Sequence, residues 1–157
     1  MRNIDSYTHT RGESVYLDDI PEIAGTLNAA VYGSPEAHGI IKQLHLDDAL
    51  AVKGVVKILT NKDIPGKNQI GGIVKDEPLL ADGVVHFNGM PVAIVVAENA
   101  DAAHEAVKKI KIDIEPLPVV TLARVAQQNG ALIVPPRTFK IGDSQSAFAQ
   151  CKYIFEG

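Results

Sequence analysis

The side chains with acid, base, metal-binding or nucleophilic chemistry are few and scattered. Five histidines stand at positions 9, 38, 45, 86 and 104, and none has a partner at a spacing that brings two ligands to one metal. His104-Glu105 lies on a helical pattern, but the position four residues beyond His104 is Lys108, so the zinc-protease motif is incomplete and a surface histidine is expected. His38, in "EAHG" after a proline-containing turn, is expected to serve the structure, its ring bonding backbone groups. Carboxylates fall in adjacent pairs at Asp18-Asp19, Asp47-Asp48 and Asp76-Glu77. Neighbours on a strand point to opposite faces, so capping, turns and salt bridges account for these pairs better than a catalytic dyad does. "GKNQIGG" is glycine-rich yet lacks the Gly-Lys-Ser/Thr of a phosphate-wrapping loop. Cys151, the one cysteine, sits among Ala149, Tyr153 and Ile154 and reads as a buried, inert thiol. No complete active site assembles from these residues.

Composition narrows the partners. The 157 residues are 46% hydrophobic and 22% charged, as in an ordinary globular protein of one domain, or one and a small appendage. A net charge of -4, with both signs interspersed, offers no basic footprint for nucleic acid and no polybasic membrane patch. Tryptophan is absent and Phe and Tyr number four each, too few for a stacking platform. The polar N-terminus has no apolar signal segment and no run approaches membrane-spanning length, so a cytoplasmic protein is expected.

The elements that must position these residues follow from pattern. Residues 1–24, broken at Gly12 and Pro21, read as an extended N-terminal arm. Strands are predicted in "GTLNAAVYGS", "HGIIKQLHL", "VVKILT" and "KIDIEPLPVV", with "PVAIVVA" apolar enough to be the central strand. Asn88-Gly89 between "VVHF" and "MPVAIVVA" predicts a hairpin. Helices are predicted in "DDALAV", in "NADAAHEAVKKI" capped by Asn99 or Asp101, in "TLARVAQQNG" and in "SQSAFAQC". The final "KYIFEG" reads as the start of a strand without its partner. The class is α+β, with a core over 25–130 and an extended C-terminal segment over 131–157.

One segment resists this scheme. Residues 60–83, "TNKDIPGKNQIGGIVKDEPLLADG", form a loop of a length that is usually functional or disordered, yet Ile70, Ile73, Val74, Leu79 and Leu80 are too apolar for a linker.

The ordered set "RGESVYLDDIP", "SPEAHGII", "GVVKILTNKDIPGKNQIG", "DEPLLAD", "VHFNGMPVAIVVA", "IEPLPVV", "PPR" and "GD" resembles the amino-terminal part of the molybdenum subunit in the xanthine dehydrogenase and aldehyde oxidase family. The resemblance covers nearly the whole chain. It implies an α/β hammerhead domain with a mixed sheet, an Asn-Gly hairpin and two to three short helices. It also implies an oxidoreductase that, when complete, hydroxylates hypoxanthine and xanthine at a molybdenum-molybdopterin centre. Electrons then pass through 2Fe-2S clusters and FAD to NAD. The implied partners are the remainder of the molybdenum subunit, the iron-sulfur and FAD domains, and a purine substrate. In that family the segment matching "GGIVKDEPLLAD" lines the substrate channel, which assigns Ile73 and Val74 to its wall. Val74 is smaller than the aromatic residue common there, implying a wider channel, and Met90 stands where glutamine or histidine is frequent. The pterin, metal and acid-base residues of the family lie beyond this chain, so no catalytic, cofactor-binding or metal residue is assigned and the chain alone is expected to be inactive. Met1 ahead of "RGE" suits a separately encoded subunit, and the final Gly157 looks like a cut. An aldehyde oxidase-type fragment and a free-standing binding or assembly module are the alternatives.

Overall fold

The computed structural model describes residues 5–156; positions 1–4 of the arm and Gly157 lie outside the described residues, and with them the expectations attached to Met1 and Gly157. The chain forms two compact units, Met1–Val119 and Val120–Gly157. The boundary expected after 130 falls inside the second.

The first unit is built on two three-stranded sheets, antiparallel throughout. One has the order β1 (Asn28–Gly33), β5 (Pro91–Ala97), β3 (Val55–Leu59). The other has β4 (Val84–Val85), β2 (Gly39–His45), β6 (Lys111–Pro116). The α+β class stands, as does the central place of "PVAIVVA": Val92, Ala93, Val95 and Ala97 of β5 are all buried. Among the described residues no mixed sheet forms.

The hairpin at Asn88-Gly89 also takes another form. The turn is present, with Met90 N–H donating to the Phe87 carbonyl and Gly89 at φ +83°, a conformation glycine adopts without steric cost. Its flanks, however, enter different sheets: β4 pairs with β2, and β5 with β1 and β3. The dipeptide therefore carries the chain from one sheet to the other.

Helix α3 (Ala100–Lys109) covers the first sheet. The Asn99 side chain caps it by accepting from Ala102 N–H at 2.9 Å, while Lys108 and Lys109 oppose the dipole in its last turn. Its buried face is Ala102, Ala103 and Ala106, small side chains that let the helix approach β5 closely. Short α2 (Asp47–Leu50) contributes Ala49 to the same core. A second cluster of Ala81, Val85, Met90 and Val92 packs with Ile41, Leu44, Ile112 and Ile114, joining the two sheets.

The arm departs from its expected extended form. Residues Asp5–Arg11 make helix α1, and Gly12 is its stop: Glu13 N–H reaches back to the Thr8 carbonyl at 2.9 Å, closing the last turn. Nothing on α1 is buried.

The second unit holds α4 (Ala123–Gln128) and α5 (Ser144–Ala149), the latter capped by Asp143 accepting from Ser146 N–H. The strand expected in "KYIFEG" does not form, since a β-run becomes a strand only beside a neighbour with free N–H and C=O groups. Among the described residues no helix is long and apolar enough to cross a membrane.

Candidate functional site

The loop over 60–83 is neither disordered nor a linker: hydrogen bonds rung its two legs together from root to tip. At the root, Asn61 Nδ2 donates to Asp82 Oδ1 at 2.7 Å. The Asp63 carboxylate accepts from Thr60 N–H at 2.9 Å and pairs with Lys57 at 3.0 Å. These contacts hold the Asp63 carboxyl below its ordinary value, the Thr60 backbone bond contributing most. The returning leg is fixed by Ala81 N–H to the Pro91 carbonyl at 2.7 Å. Leu80, 2% exposed, is the loop's buried anchor.

Midway, Asn68 meets the Leu80 backbone twice. Its Nδ2 donates to the carbonyl at 2.7 Å, and its Oδ1 accepts from the N–H at 3.0 Å. Toward the tip, Ile70 N–H donates to the Glu77 carbonyl at 2.8 Å. Gln69 Oε1 accepts from both Gly71 N–H and Glu77 N–H, at 3.0 and 2.8 Å. Lys75 Nζ crosses the tip to the Gly71 carbonyl at 2.6 Å. Gly71 cannot be larger, for a Cβ there would stand 2.1 Å from the Val74 carbonyl oxygen.

This frame presents apolar surface to the outside. Ile73 is 100% exposed and Val74 40%, with Ile70 and Leu79 also exposed. The two residues singled out in the sequence thus share one tip. A concavity of about 560 Å³ beside the loop is lined by its roots, Thr60–Lys62 and Ala81–Gly83, and by Ile41–Leu44 and Leu46 of the β2 segment, while the tip projects elsewhere. Ile73 and Val74 can offer dispersion and water exclusion, and no acid, base or nucleophilic chemistry.

The other candidates lie apart. His38 does bond backbone, its Nδ1–H donating to the Pro118 carbonyl at 2.8 Å, and its ring stacks on His86 at 6.0 Å. His45 Nε2 lies 2.9 Å from Asp113 Oδ2 across β2 and β6, a pair that sequence spacing could not reveal. Of the carboxylate pairs, Asp19 caps a turn at Tyr16 N–H and Asp48 pairs with Lys111 at 2.9 Å, which lowers the Asp48 pKa. Among the described residues no three His, Cys, Asp or Glu side chains are grouped to hold a metal. Cys151 corrects the sequence reading: it is exposed, because the residues around it, Phe148, Tyr153 and Ile154, are exposed too and form no core to bury it. The framing residues Asn68, Gln69 and Gly71 were missed as well; amides beside clustered glycines are the signal that could have found them.

Comparison with known proteins shows the family of the chain. Residues 11–118 match the family described as aldehyde oxidase and xanthine dehydrogenase, a/b hammerhead domain. A xanthine dehydrogenase/oxidase of Gallus gallus is 35% identical over 147 residues, 93% of this chain and 11% of that protein. Aldehyde oxidase 2 of Rattus norvegicus is also 35% identical, over 158 residues, 100% of this chain and 11% of that protein. Among solved structures, a Cu,Mo-CO dehydrogenase superposes with a TM-score of 0.72 and 30% identity, over 80% of this chain and 16% of that one. The chain thus spans about a tenth of the length of the curated relatives it matches.

Proposed function

The chain belongs to the a/b hammerhead domain family of aldehyde oxidase and xanthine dehydrogenase, and from that premise we propose that it acts as one domain of a molybdenum hydroxylase, furnishing a wall of the substrate channel through Ile73 and Val74. The observation that carries this reading is the tip itself. A fully exposed isoleucine on a loop held by side-chain amides is surface kept ready for contact. An apolar wall excludes water and gives a flat heterocycle dispersion contact without imposing a hydrogen-bond pattern.

The role is packing and channel lining, with the chemistry done by other parts of a longer protein. Of the cofactors that the family implies, a 2Fe-2S cluster does not fit this chain's own residues. A 2Fe-2S cluster takes four protein ligands, commonly thiolates, and the chain has one cysteine. The remainder of the molybdenum subunit and the iron-sulfur and FAD domains are the proposed partners, in the cytoplasm, and no step of the reaction is assigned to this chain.

A purine substrate is the preferred reading, supported by "GKNQIGG" together with "DEPLLAD". Equal identity to a xanthine dehydrogenase/oxidase and to an aldehyde oxidase keeps an aldehyde substrate as the second. The test is Ile73→Glu in the intact oxidoreductase that carries this domain, assayed with xanthine and with an aliphatic aldehyde. A raised KM for one substrate identifies it. Unchanged KM for both removes Ile73 from any channel.

A further inference from the structure

We propose that Gln69 is the positioning residue of the tip, making the loop a fixed presenter of Ile73 and Val74 and not a lid that closes on a ligand. The inference rests on the channel reading above and names what keeps that wall in place.

The chemistry at Gln69 is one-sided. Both of its partners in the loop are backbone N–H groups, Gly71 on one leg and Glu77 on the other, so the side-chain oxygen must face them and the amide NH₂ takes no part. One oxygen thereby replaces the carbonyls that a neighbouring strand would have supplied to both legs. Between these contacts lie Gly72, Ile73, Val74, Lys75 and Asp76, the whole of the tip. Backbone pairing of Ile70 with Glu77 and the Lys75 ammonium on the Gly71 carbonyl close the same small ring. Gly71 is packed so tightly on the Val74 carbonyl that no methyl group fits between them. A movable lid needs hinges with spare space and few hydrogen bonds. At Gly71 there is neither: its Cβ position is filled and the hydrogen bonds at 70, 71 and 77 close the base, while the open space lies at Gly72, inside the ring they form.

Because only acceptance is needed, the chemistry separates two substitutions of similar size. Gln69→Met keeps the shape and removes the acceptor. Gln69→Glu keeps the acceptor and adds a charge near Asp76 and Glu77, an effect that about 0.3 M salt screens at distances beyond a few ångströms.

The experiment has two arms, chosen so that the clasp and the channel reading fail separately. In the first, hydrogen exchange over 70–78 is followed in the full 157-residue chain. Gln69→Met is expected to speed exchange at Gly71 and Glu77 roughly tenfold, with β5 unchanged, and Gln69→Glu in salt to restore protection to within about twofold. Unchanged exchange in Gln69→Met, or failure of Gln69→Glu to rescue it, overturns the positioning role whatever the channel does. In the second arm, KM and kcat for xanthine are measured in the intact oxidoreductase carrying the same substitutions. Gln69→Met is expected to raise KM about threefold to tenfold with kcat unchanged, the signature of lost uniform binding, and Gln69→Glu to return it. Faster exchange with unaltered KM would leave the clasp standing but overturn the wall it is proposed to position. A fall in kcat alone would mark the loop as a moving part and overturn the fixed presenter.

Discussion

Asn68 faces Leu80 as a strand partner would, donating to its carbonyl at 2.7 Å and accepting from its N–H at 3.0 Å. The pair closes the loop over 60–83 above a residue that is 2% exposed. Removing the amide leaves two backbone groups without partners beside that anchor. Asn68→Ala is therefore expected to cost about 1–2 kcal/mol in denaturant unfolding. Asn68→Asp should be no better, because it keeps the acceptor but sets a second oxygen against the Leu80 carbonyl. An Asp variant as stable as the parent would show that the donor half of the pair does nothing.

Val95 provides the reference for the core. It lies 0% exposed in β5, paired on both sides with Ala30 of β1 and Ile58 of β3. Val95→Ala removes two buried carbons and leaves a cavity between tightly packed neighbours, at a cost of about 2–3 kcal/mol. Val31, on β1 and more than half exposed, should lose at most about 0.5 kcal/mol when cut to alanine. Comparable losses at the two sites would contradict the central place of β5.

These contrasts also explain what could be read without a structure. Strand β5 and helix α3 were legible because their signals are local: an unbroken apolar run in one case, a capping Asn99 followed by alanines at helical spacing in the other. The Asn88-Gly89 hairpin failed because a turn's own residues fix its bend and say nothing about which sheet each flank joins. Helix α1 was hidden by having no buried face, so no apolar periodicity announced it. At the candidate site, the apolar tip showed in Ile73 and Val74. The clasp did not, because Asn68 and Leu80 meet across twelve positions and a polar side chain's partner is set by the fold.

Cys151 yields a chemical test of the second unit. The thiol is exposed and donates to the Ala147 carbonyl at 3.3 Å at the end of α5, a weak contact that does not shield it. In native buffer the chain should release one equivalent of chromophore from an aromatic disulfide reagent, at a rate within about tenfold of a free cysteine peptide. Protection until denaturant is added would mean that residues 120–157 are covered in solution. Because Leu132, Ile133, Phe139, Ile141 and Phe155 of the same unit are exposed, such protection would locate a contact surface of this chain.

The root of the loop should weaken in acid, and Asp63 is the reason. Its carboxylate accepts from Thr60 N–H and the Thr60 hydroxyl and pairs with Lys57, and the backbone bond chiefly lowers its pKa below the ordinary value. A carboxyl with a depressed folded-state pKa contributes stability that is fully present above its unfolded value, near 4, and is lost as pH falls through the folded one. The unfolded chain binds the proton first, so unfolding is favoured as acid is added. In Asp63→Asn that part of the pH dependence should vanish: the difference in stability between parent and variant should be constant from about pH 7 to 5 and shrink below about pH 4. Lys57→Met should move the Asp63 carboxyl resonance only part of the way back toward an ordinary titration, because the Thr60 bonds remain. A complete return would make the lysine, and not the backbone, the principal cause, and would shift the loop's anchor from its own first turn to β3.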